Sequence, residues 1–360
     1  YGGRLSSILN ITMKEGNKSK YQTEGGIGLL SANLAVQGPI QRNKSSFIIS
    51  ARKSYINLLL KPVTSKSTSY SFYDVNAKMN FETGKYDHIF LSFFKGNDNA
   101  GYTGANSLNY ATDFGNTTGT FRWNHEFGSK IFSNTSLIYN DYHLGLGTSQ
   151  NNYYEVLYTG IKDYTLKSDL TYSPNFKHKI KAGFTYTYHT LYPSAISSKV
   201  PRHGNQVIIN KDSISKRYSD ELAFYMNDDY EISKGLSVNY GIRIPLFKGG
   251  GATYSGIEPR ITTKISLNQT TSIKASWTLM NQFLHAVPNS TASLPTDTWL
   301  SSSLLIKPQR SSQFALGVFK NFNDNGIEAS VEAYYKTMDN QVLFKEGSQV
   351  VLNSNIDSLL

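Results

Sequence analysis

The feature that most constrains this chain is a strict alternation of apolar and polar residues, which recurs along almost its whole length. In the stretch 236–246 every even position is apolar, whereas polar or charged residues such as Ser237, Asn239 and Arg243 lie between them. Because successive side chains of a β-strand point to opposite faces, this period of two predicts strands with one apolar and one polar face. About fifteen such strands are predicted before residue 343.

The connections between these strands alternate between short and long. The short turns are 38–44, 84–87, 128–130, 173–176, 233–235, 268–270 and 323–326, and the long loops are 57–72, 97–114, 144–153, 193–217, 248–252 and 281–311. A change of parity near residues 30–32 predicts one further tight hairpin. Strands of about 9–14 residues with short turns at one end are typical of antiparallel outer-membrane β-barrels, whereas a soluble β-sandwich has strands of about 5–6 residues.

Charged residues fall mainly on one face of the predicted strands. The face opposite the apolar series carries Lys179, Lys181, Arg243, Lys264, Lys274 and Glu328. Lys320 falls on the apolar face but next to a turn, where a cation costs about 0–1 kcal/mol instead of about 2–4 kcal/mol at the bilayer midplane. The apolar face is therefore predicted to contact lipid, and the charged face to line the lumen.

Composition agrees with a barrel and argues against a helical membrane protein and a nucleic-acid-binding protein. Hydrophobic residues make up 39% of the chain, charged residues 17% and aromatic residues 13%, and there is no Cys. The longest apolar run, 222–226, is far shorter than the roughly 20 residues that a membrane helix needs. The net charge of +10 comes from Lys and Arg scattered over turns and lumen, with no basic run or motif for nucleic acid.

The first sixteen residues, YGGRLSSILNITMKEG, differ from the rest of the chain. The odd positions from Leu5 to Met13 alternate with a mostly polar series and stop at Glu15-Gly16, which predicts one short strand ending in a turn. After Gly16 the long series of strands begins. We therefore place a domain boundary here, between residues 1–16 and residues 17–360.

This opening stretch carries a family resemblance. A Gly-Gly-Arg step, a pair of small residues and an apolar-x-Ile-x-x-Lys-x-Gly ending resemble the end of the plug domain in TonB-dependent outer-membrane transporters. The matching residues are Gly2, Gly3, Arg4, Ser6, Ser7, Ile8, Ile11, Thr12, Lys14 and Gly16. The stretch 38–55 resembles the first periplasmic turn of that family and the strand that leaves it.

The resemblance implies an architecture of two parts. Residues 1–16 would be the C-terminal end of a plug domain, and residues 17–360 the N-terminal two-thirds of a transmembrane barrel. About 14 or 15 of about 22 strands would then be present, which makes the barrel incomplete.

The resemblance also implies function, location and partners. It implies a receptor in the outer membrane of a Gram-negative cell that imports a scarce solute: a ferric chelate, a vitamin, a peptide or an oligosaccharide. The partners would be outer-membrane lipid, the TonB energy-coupling complex and the small solute, and a surface lipoprotein is a further partner that the family allows. A passive porin, or a soluble or surface β-sheet adhesion protein, remains an alternative, and a plug or its absence separates the first of these from a receptor.

Motifs for catalysis, cofactors and metals were sought without success. No HExxH, G-x-S-x-G or P-loop pattern occurs, so the sequence predicts no enzyme, no cofactor and no metal site. The spacing from Asn321 to Glu332 imitates a calcium loop, but alternating strands on both sides favour a hairpin turn.

Four aromatic residues or histidines in the long loops are the candidate ligand contacts: His143, Tyr153, Tyr154 and Trp299. Loops at the outward end of a barrel are where a receptor meets its solute. The alternative is that these side chains belong to the rim of the barrel and lie among lipid headgroups.

Overall fold

The computed structural model describes residues 2–60, 68–104, 108–150, 153–193, 195–198, 216–287, 297–322 and 326–345. Within these ranges no helix has the length and apolarity needed to cross a membrane. Residues 323–325, which make up most of the predicted turn at 323–326 and part of the calcium-loop spacing, lie outside the described residues.

The described chain is built almost entirely of strands. They are β1 Gln22–Ile27, β2 Ser31–Gln41, β3 Ser45–Ser54, β4 Thr68–Glu82, β5 Asp87–Thr103, β6 Asn109–Glu126, β7 Ile131–Gln150, β8 Tyr153–Asn175, β9 His178–Tyr192, β10 Ala195–Ser198, β11 Arg217–Ser233, β12 Leu236–Gly249, β13 Ala252–Ser255, β14 Glu258–Ser266, β15 Thr271–Gln282, β16 Leu284–Val287, β17 Thr298–Ser301, β18 Gln309–Phe322 and β19 Ile327–Asp339. One short helix, α1, spans Ile56–Leu60. The prediction of an all-β chain is confirmed.

Consecutive long strands pair antiparallel to form one large sheet. The ladder runs from β1 through β9 in sequence order and continues through β11, β12, β14, β15, β18 and β19. The short strands β10 and β13 pair with β8 and β12, and β16 pairs only with β17. In the part of the chain that the structure describes, no register joins β19 to β1, so the sheet is a barrel wall that does not close.

The two faces of the sheet follow the predicted parity. On β12 the even positions Tyr240, Ile242 and Ile244 are 41–45% exposed on the outer face, whereas Arg243 and Phe247 are buried on the inner face. The parity change near residues 30–32 is the predicted hairpin, because β1 and β2 pair from Ile27 opposite Ala32.

Two predicted loops are strands over most of their described residues. The ranges 97–114 and 144–153 are rich in Gly and Asn, which favours loops, but β5 continues to Thr103 and β7 to Gln150. Backbone groups alone make the ladder, so a regular partner strand holds these residues whatever their side-chain propensity. The strands β6, β7 and β8 reach 18, 20 and 23 residues, beyond the predicted 9–14.

The strand predicted from Leu5 to Lys14 is wrong. Residues 2–16 make no ladder, and Leu9 and Ile11 are 84% and 78% exposed. The physical reason is that side chains of the inner wall, rather than a neighbouring strand, bind the backbone of this segment. Alternation predicted the extended conformation but could not distinguish these two kinds of partner.

An apolar core lies inside the barrel, at the end of the long loops. The predicted loop 281–311 contains β16 and β17, which fold inward as a hairpin. Leu284 of β16 packs on Ile161 and Leu191, which face inward from β8 and β9. Phe283, just before β16, stacks on inward-facing Phe247 of β12 with ring centroids 5.0 Å apart. The hairpin thus touches strands from different parts of the wall, which requires the sheet to curve around it.

Candidate functional site

A buried ion network lies on the inner wall. The guanidinium of Arg243 donates to Glu221 Oε1 at 2.9 Å and to Glu258 Oε2 at 3.0 Å. Glu258 is completely buried, and Arg243 and Glu221 are 7% and 9% exposed. Charges this far from water are stable only when paired and hydrogen-bonded, so the three side chains depend on one another.

The network extends across neighbouring strands. His189 Nδ1 lies 2.7 Å from Asp163 Oδ1, and its Nε2 lies 4.0 Å from Glu221 Oε2. The backbone N–H of Asn281 donates to Glu258 Oε1 at 3.0 Å. Side chains from β8, β9, β11, β12, β14 and β15 are thereby connected, which ties six positions of the wall together.

The start of the chain packs on this network. A Cβ atom at Gly2 would lie 2.6 Å from Arg243 Cδ, and a Cβ at Gly3 would lie 3.1 Å from Glu221 Oε1. Gly3 also has a φ of +73°, in the left-handed region that favours glycine. The predicted Gly-Gly-Arg motif therefore has a structural explanation: only glycine allows the backbone to approach Arg243 this closely.

Leu5 is the next fixed point of the segment. Its N–H donates to Gln282 Oε1 at 3.0 Å, and its carbonyl accepts a hydrogen bond from Lys336 Nζ. The amide of Gln282 also donates to the carbonyl of Leu284 at 2.7 Å. One side chain at the end of β15 therefore links the N-terminal segment to the first residue of the inward hairpin.

The segment is fixed again at the end of the short turns. Lys78 Nζ donates to the carbonyl of Met13 at 3.0 Å, and Asn80 Nδ2 donates to Glu15 Oε2 at 3.0 Å. A Cβ at Gly16 would lie 2.0 Å from the carbonyl oxygen of Phe47, so this predicted motif residue is also sterically required. Residues 2–16 therefore run through the barrel interior from the long-loop half to the short-turn end. Among the described residues, the side chains of Ile11 and Lys14 of the motif form no hydrogen bond or ion pair.

The inward hairpin carries a buried histidine. His285 is 1% exposed, and its Nε2 lies 3.0 Å from Ser302 Oγ. Burial lowers the pKa of His285 to about 4, and the nearby cation Arg4 acts in the same direction. The imidazole is therefore neutral at pH 7.

Two of the four predicted ligand contacts, Trp299 and His143, have described side chains, and these lie on different faces of the wall. Trp299 lies on the inward hairpin and packs on the cluster of Ile161, Leu191 and Leu284, together with Tyr142. His143 belongs to the opposite, outer face of β7. The side chains of Tyr153 and Tyr154 lie outside the described part of the structure.

His143 has the partners of a rim residue. Its Nε2 is 3.4 Å from Asp113 Oδ1, and its ring stacks on Tyr158 with centroids 6.4 Å apart. Trp299 is the only one of the four that the described side chains place inside the mouth of the barrel. That any of them contacts a ligand stays a prediction.

The residues that fix the N-terminal segment were not predicted. Gln282, Lys336 and Lys78 carry no motif, and Arg243 was predicted only to line the lumen. Among the described residues, no group of three or more acidic or histidine side chains could hold a metal ion. The clearest chemical property of this interior is its ability to bind a peptide segment by charged and polar side chains.

The sequence matches a family model over most of its length. Residues 53–358 match the β-barrel of TonB-dependent receptor-like proteins. The chain belongs to the TonB-dependent receptor family. It is accordingly an outer-membrane protein of a family of transport receptors. No curated protein matches it at the sequence level.

Solved structures of similar fold are siderophore receptors. A mutant of the ferric enterobactin receptor PfeA from Pseudomonas aeruginosa superposes with a TM-score of 0.63 at 12% identity, covering 91% of this chain and 52% of that receptor. The ferripyoverdine receptor of P. aeruginosa gives 0.62 at 14%, covering 90% and 49%, and the ferric-catecholate import receptor Fiu from K12 E. coli gives 0.61 at 12%, covering 93% and 60%. This TonB-dependent receptor chain thus spans about half the length of the solved receptors it matches.

Proposed function

We propose that this chain forms part of a TonB-dependent importer of a ferric chelate. The observation that carries the proposal is the course of residues 2–16, bound to the inner wall at Gly2, Leu5, Met13 and Gly16. A segment held inside the barrel by hydrogen bonds and ion pairs must be displaced before a large solute can pass. That requirement favours energy-coupled import over passive diffusion.

The inward hairpin supports the same choice. β16 and β17 fill the long-loop end of the lumen with fully buried side chains such as Leu284 and Leu300. A passive porin needs a water-filled channel, and its interior is correspondingly polar. An adhesion protein binds its partner at the outer surface, so adhesion does not require an apolar core inside the barrel.

The choice of a ferric chelate rests on the solved structures of similar fold. Those proteins are receptors of ferric enterobactin, ferripyoverdine and ferric catecholate. Fold alone does not determine cargo, so a vitamin, a peptide or an oligosaccharide are alternative outcomes of the test. In this proposal residues 1–16 are the end of a plug domain, residues 17–360 belong to the barrel, and the TonB complex supplies energy.

The test is uptake of radiolabelled solutes, each carrying its own label, by cells that carry the native protein. Ferric enterobactin and ferripyoverdine are supplied in parallel with cobalamin and a maltooligosaccharide, with and without functional TonB. We expect uptake of a ferric chelate that stops when TonB is removed. Uptake that continues without TonB, or that is confined to cobalamin or the sugar, would overturn the proposal.

A pair of tryptophan variants locates the binding surface. Trp299 lies in the mouth, whereas Trp277 lies on the outer face of β15 and stacks on Phe314. Trp299→Ala should weaken binding of the ferric chelate by about tenfold, as expected for the loss of a large buried aromatic contact. Trp277→Ala is the control and should bind as the wild type does.

A further inference from the structure

Two cations lie over one aromatic ring on the inner wall, near the end of the short turns. Phe90 of β5 has Lys78 Nζ 5.5 Å from its ring centroid and the guanidinium carbon of Arg122 4.4 Å from it. The three residues belong to β4, β5 and β6, and their parity places all of them on the face that carries the lumen charges. Two neighbouring cations attract a negatively charged group, and an aromatic ring beside them suits a group that is also flat.

The two cations differ in what they bind now. Lys78, 6% exposed, is covered by the N-terminal segment through its bond to Met13, with Glu15 Oε1 3.9 Å away. Arg122 makes no such contact: its Nε is buried and has no hydrogen-bond partner among the described residues. Binding of the N-terminal segment therefore accounts for the position of Lys78 but does not account for that of Arg122.

A buried guanidinium donor without an acceptor is costly, and proteins keep such groups where something else binds them. The position of this guanidinium next to Phe90 limits the chemical class of a ligand that could accept its hydrogen bond. An anionic ligand with an aromatic ring could place its oxygens on Lys78 and Arg122 and its ring on Phe90. Catecholate groups of a ferric chelate have this chemistry, because each combines an aromatic ring with negatively charged oxygens.

We propose that Lys78, Phe90 and Arg122 form a second binding site, a transit site for an anionic aromatic ferric chelate on its way out of the barrel. Residues 13–15 cover the site at rest, and their withdrawal opens it. The inference rests on the proposed function, which it deepens by naming the chemical class of the cargo. It places this site at the short-turn end, away from the mouth where Trp299 lies.

The first experiment separates capture from passage in cells that carry the native protein. Arg122→Gln and Phe90→Leu should bind a ferric tris-catecholate at the cell surface with the wild-type Kd but import it about tenfold more slowly, as expected for the loss of one charge-assisted contact. Lys167→Gln is the matched control. Lys167 also faces the lumen, but it pairs with Asp169 at 3.1 Å, away from any such ring.

The second experiment tests the site directly in purified protein. Glu15→Ala removes the bond from Asn80 that fixes the covering segment and the carboxylate near Lys78, and should therefore loosen residues 13–15 over Lys78. A disulfonated catechol and its ferric complex serve as the probe, with binding measured by calorimetry. We expect binding to Glu15→Ala that disappears when Arg122→Gln is added. A neutral diol of similar size should not bind.

The outcomes separate the two proposals. If the wild type binds no ferric chelate at the surface, the proposed function fails. If it binds one but Arg122→Gln imports it at the wild-type rate, or if Glu15→Ala does not bind the disulfonated catechol, the transit site is overturned.

Discussion

At the scale of single residues, the interior of this barrel contains a network of buried charges in which the loss of one charge leaves its partner unpaired. Glu258 is fully buried and accepts hydrogen bonds from Arg243 and Asn281. Glu258→Gln should lower the free energy of unfolding by about 3–5 kcal/mol, because it leaves a buried guanidinium short of a carboxylate. Urea unfolding in lipid vesicles measures this change.

The control for that variant is Glu328→Gln. Glu328 also lies on the lumen side of the wall, on β19, but it is exposed. Its substitution should change the free energy of unfolding by less than about 0.5 kcal/mol. Equal effects of the two substitutions would mean that burial of the network contributes nothing.

His285 makes the inward hairpin sensitive to acid. The pKa of His285 is about 4 in the folded protein, below the ordinary value of 6.5. Between these two pH values the imidazole is protonated in the unfolded chain but not in the folded one. Stability is therefore full above about pH 6.5 and falls as the pH drops towards 4. Urea unfolding at pH 7 and pH 5 should show this loss in the wild type and a smaller loss in His285→Gln. The same loss in both proteins would exclude His285 as its source.

At the scale of elements, Gln282 connects two parts that sequence would not associate. It accepts from Leu5 and donates to Leu284. Gln282→Ala should raise hydrogen-exchange rates at Leu5 and through β16 by about five- to thirtyfold, the equivalent of about 1–2 kcal/mol. Gln269→Ala, in the turn between β14 and β15, is the control and should leave both rates unchanged.

The same scale shows what a sequence can reveal. Alternation predicted the strands, their two faces and the hairpin between β1 and β2, because each of these depends on local periodicity. It failed for β5 and β7, where Gly and Asn pair through the backbone, and for β16 and β17, whose burial depends on strands far away in sequence. The Gly-Gly-Arg motif indicated the position of the N-terminal segment, but the residues that bind it are single polar side chains without a pattern.

At the scale of the whole molecule, the outer face must match the apolar interior of a bilayer. Ile261 and Thr262 are neighbours near the middle of β14 that point to opposite faces, both exposed in the structure. Ile261→Lys should destabilise the barrel by about 2–4 kcal/mol, whereas Thr262→Lys should cost about 0–1 kcal/mol because its ammonium reaches water in the lumen. Unfolding in vesicles compares them, and the reverse order would mean that the faces are assigned wrongly.

The length of β8 has a consequence for how this protein meets its surroundings. Its 23 residues, at about 3.3 Å each and tilted by about 40°, rise about 57 Å along the membrane normal, whereas the apolar band is about 25 Å tall. By the same arithmetic β6, β7 and β8 exceed the apolar band by about 20, 25 and 30 Å, and together they would form a stiff collar outside it. An antibody raised against this part of the cell surface would then meet hydrogen-bonded β-structure in β6, β7 and β8. Its epitopes would span several strands and disappear when the protein is boiled in detergent.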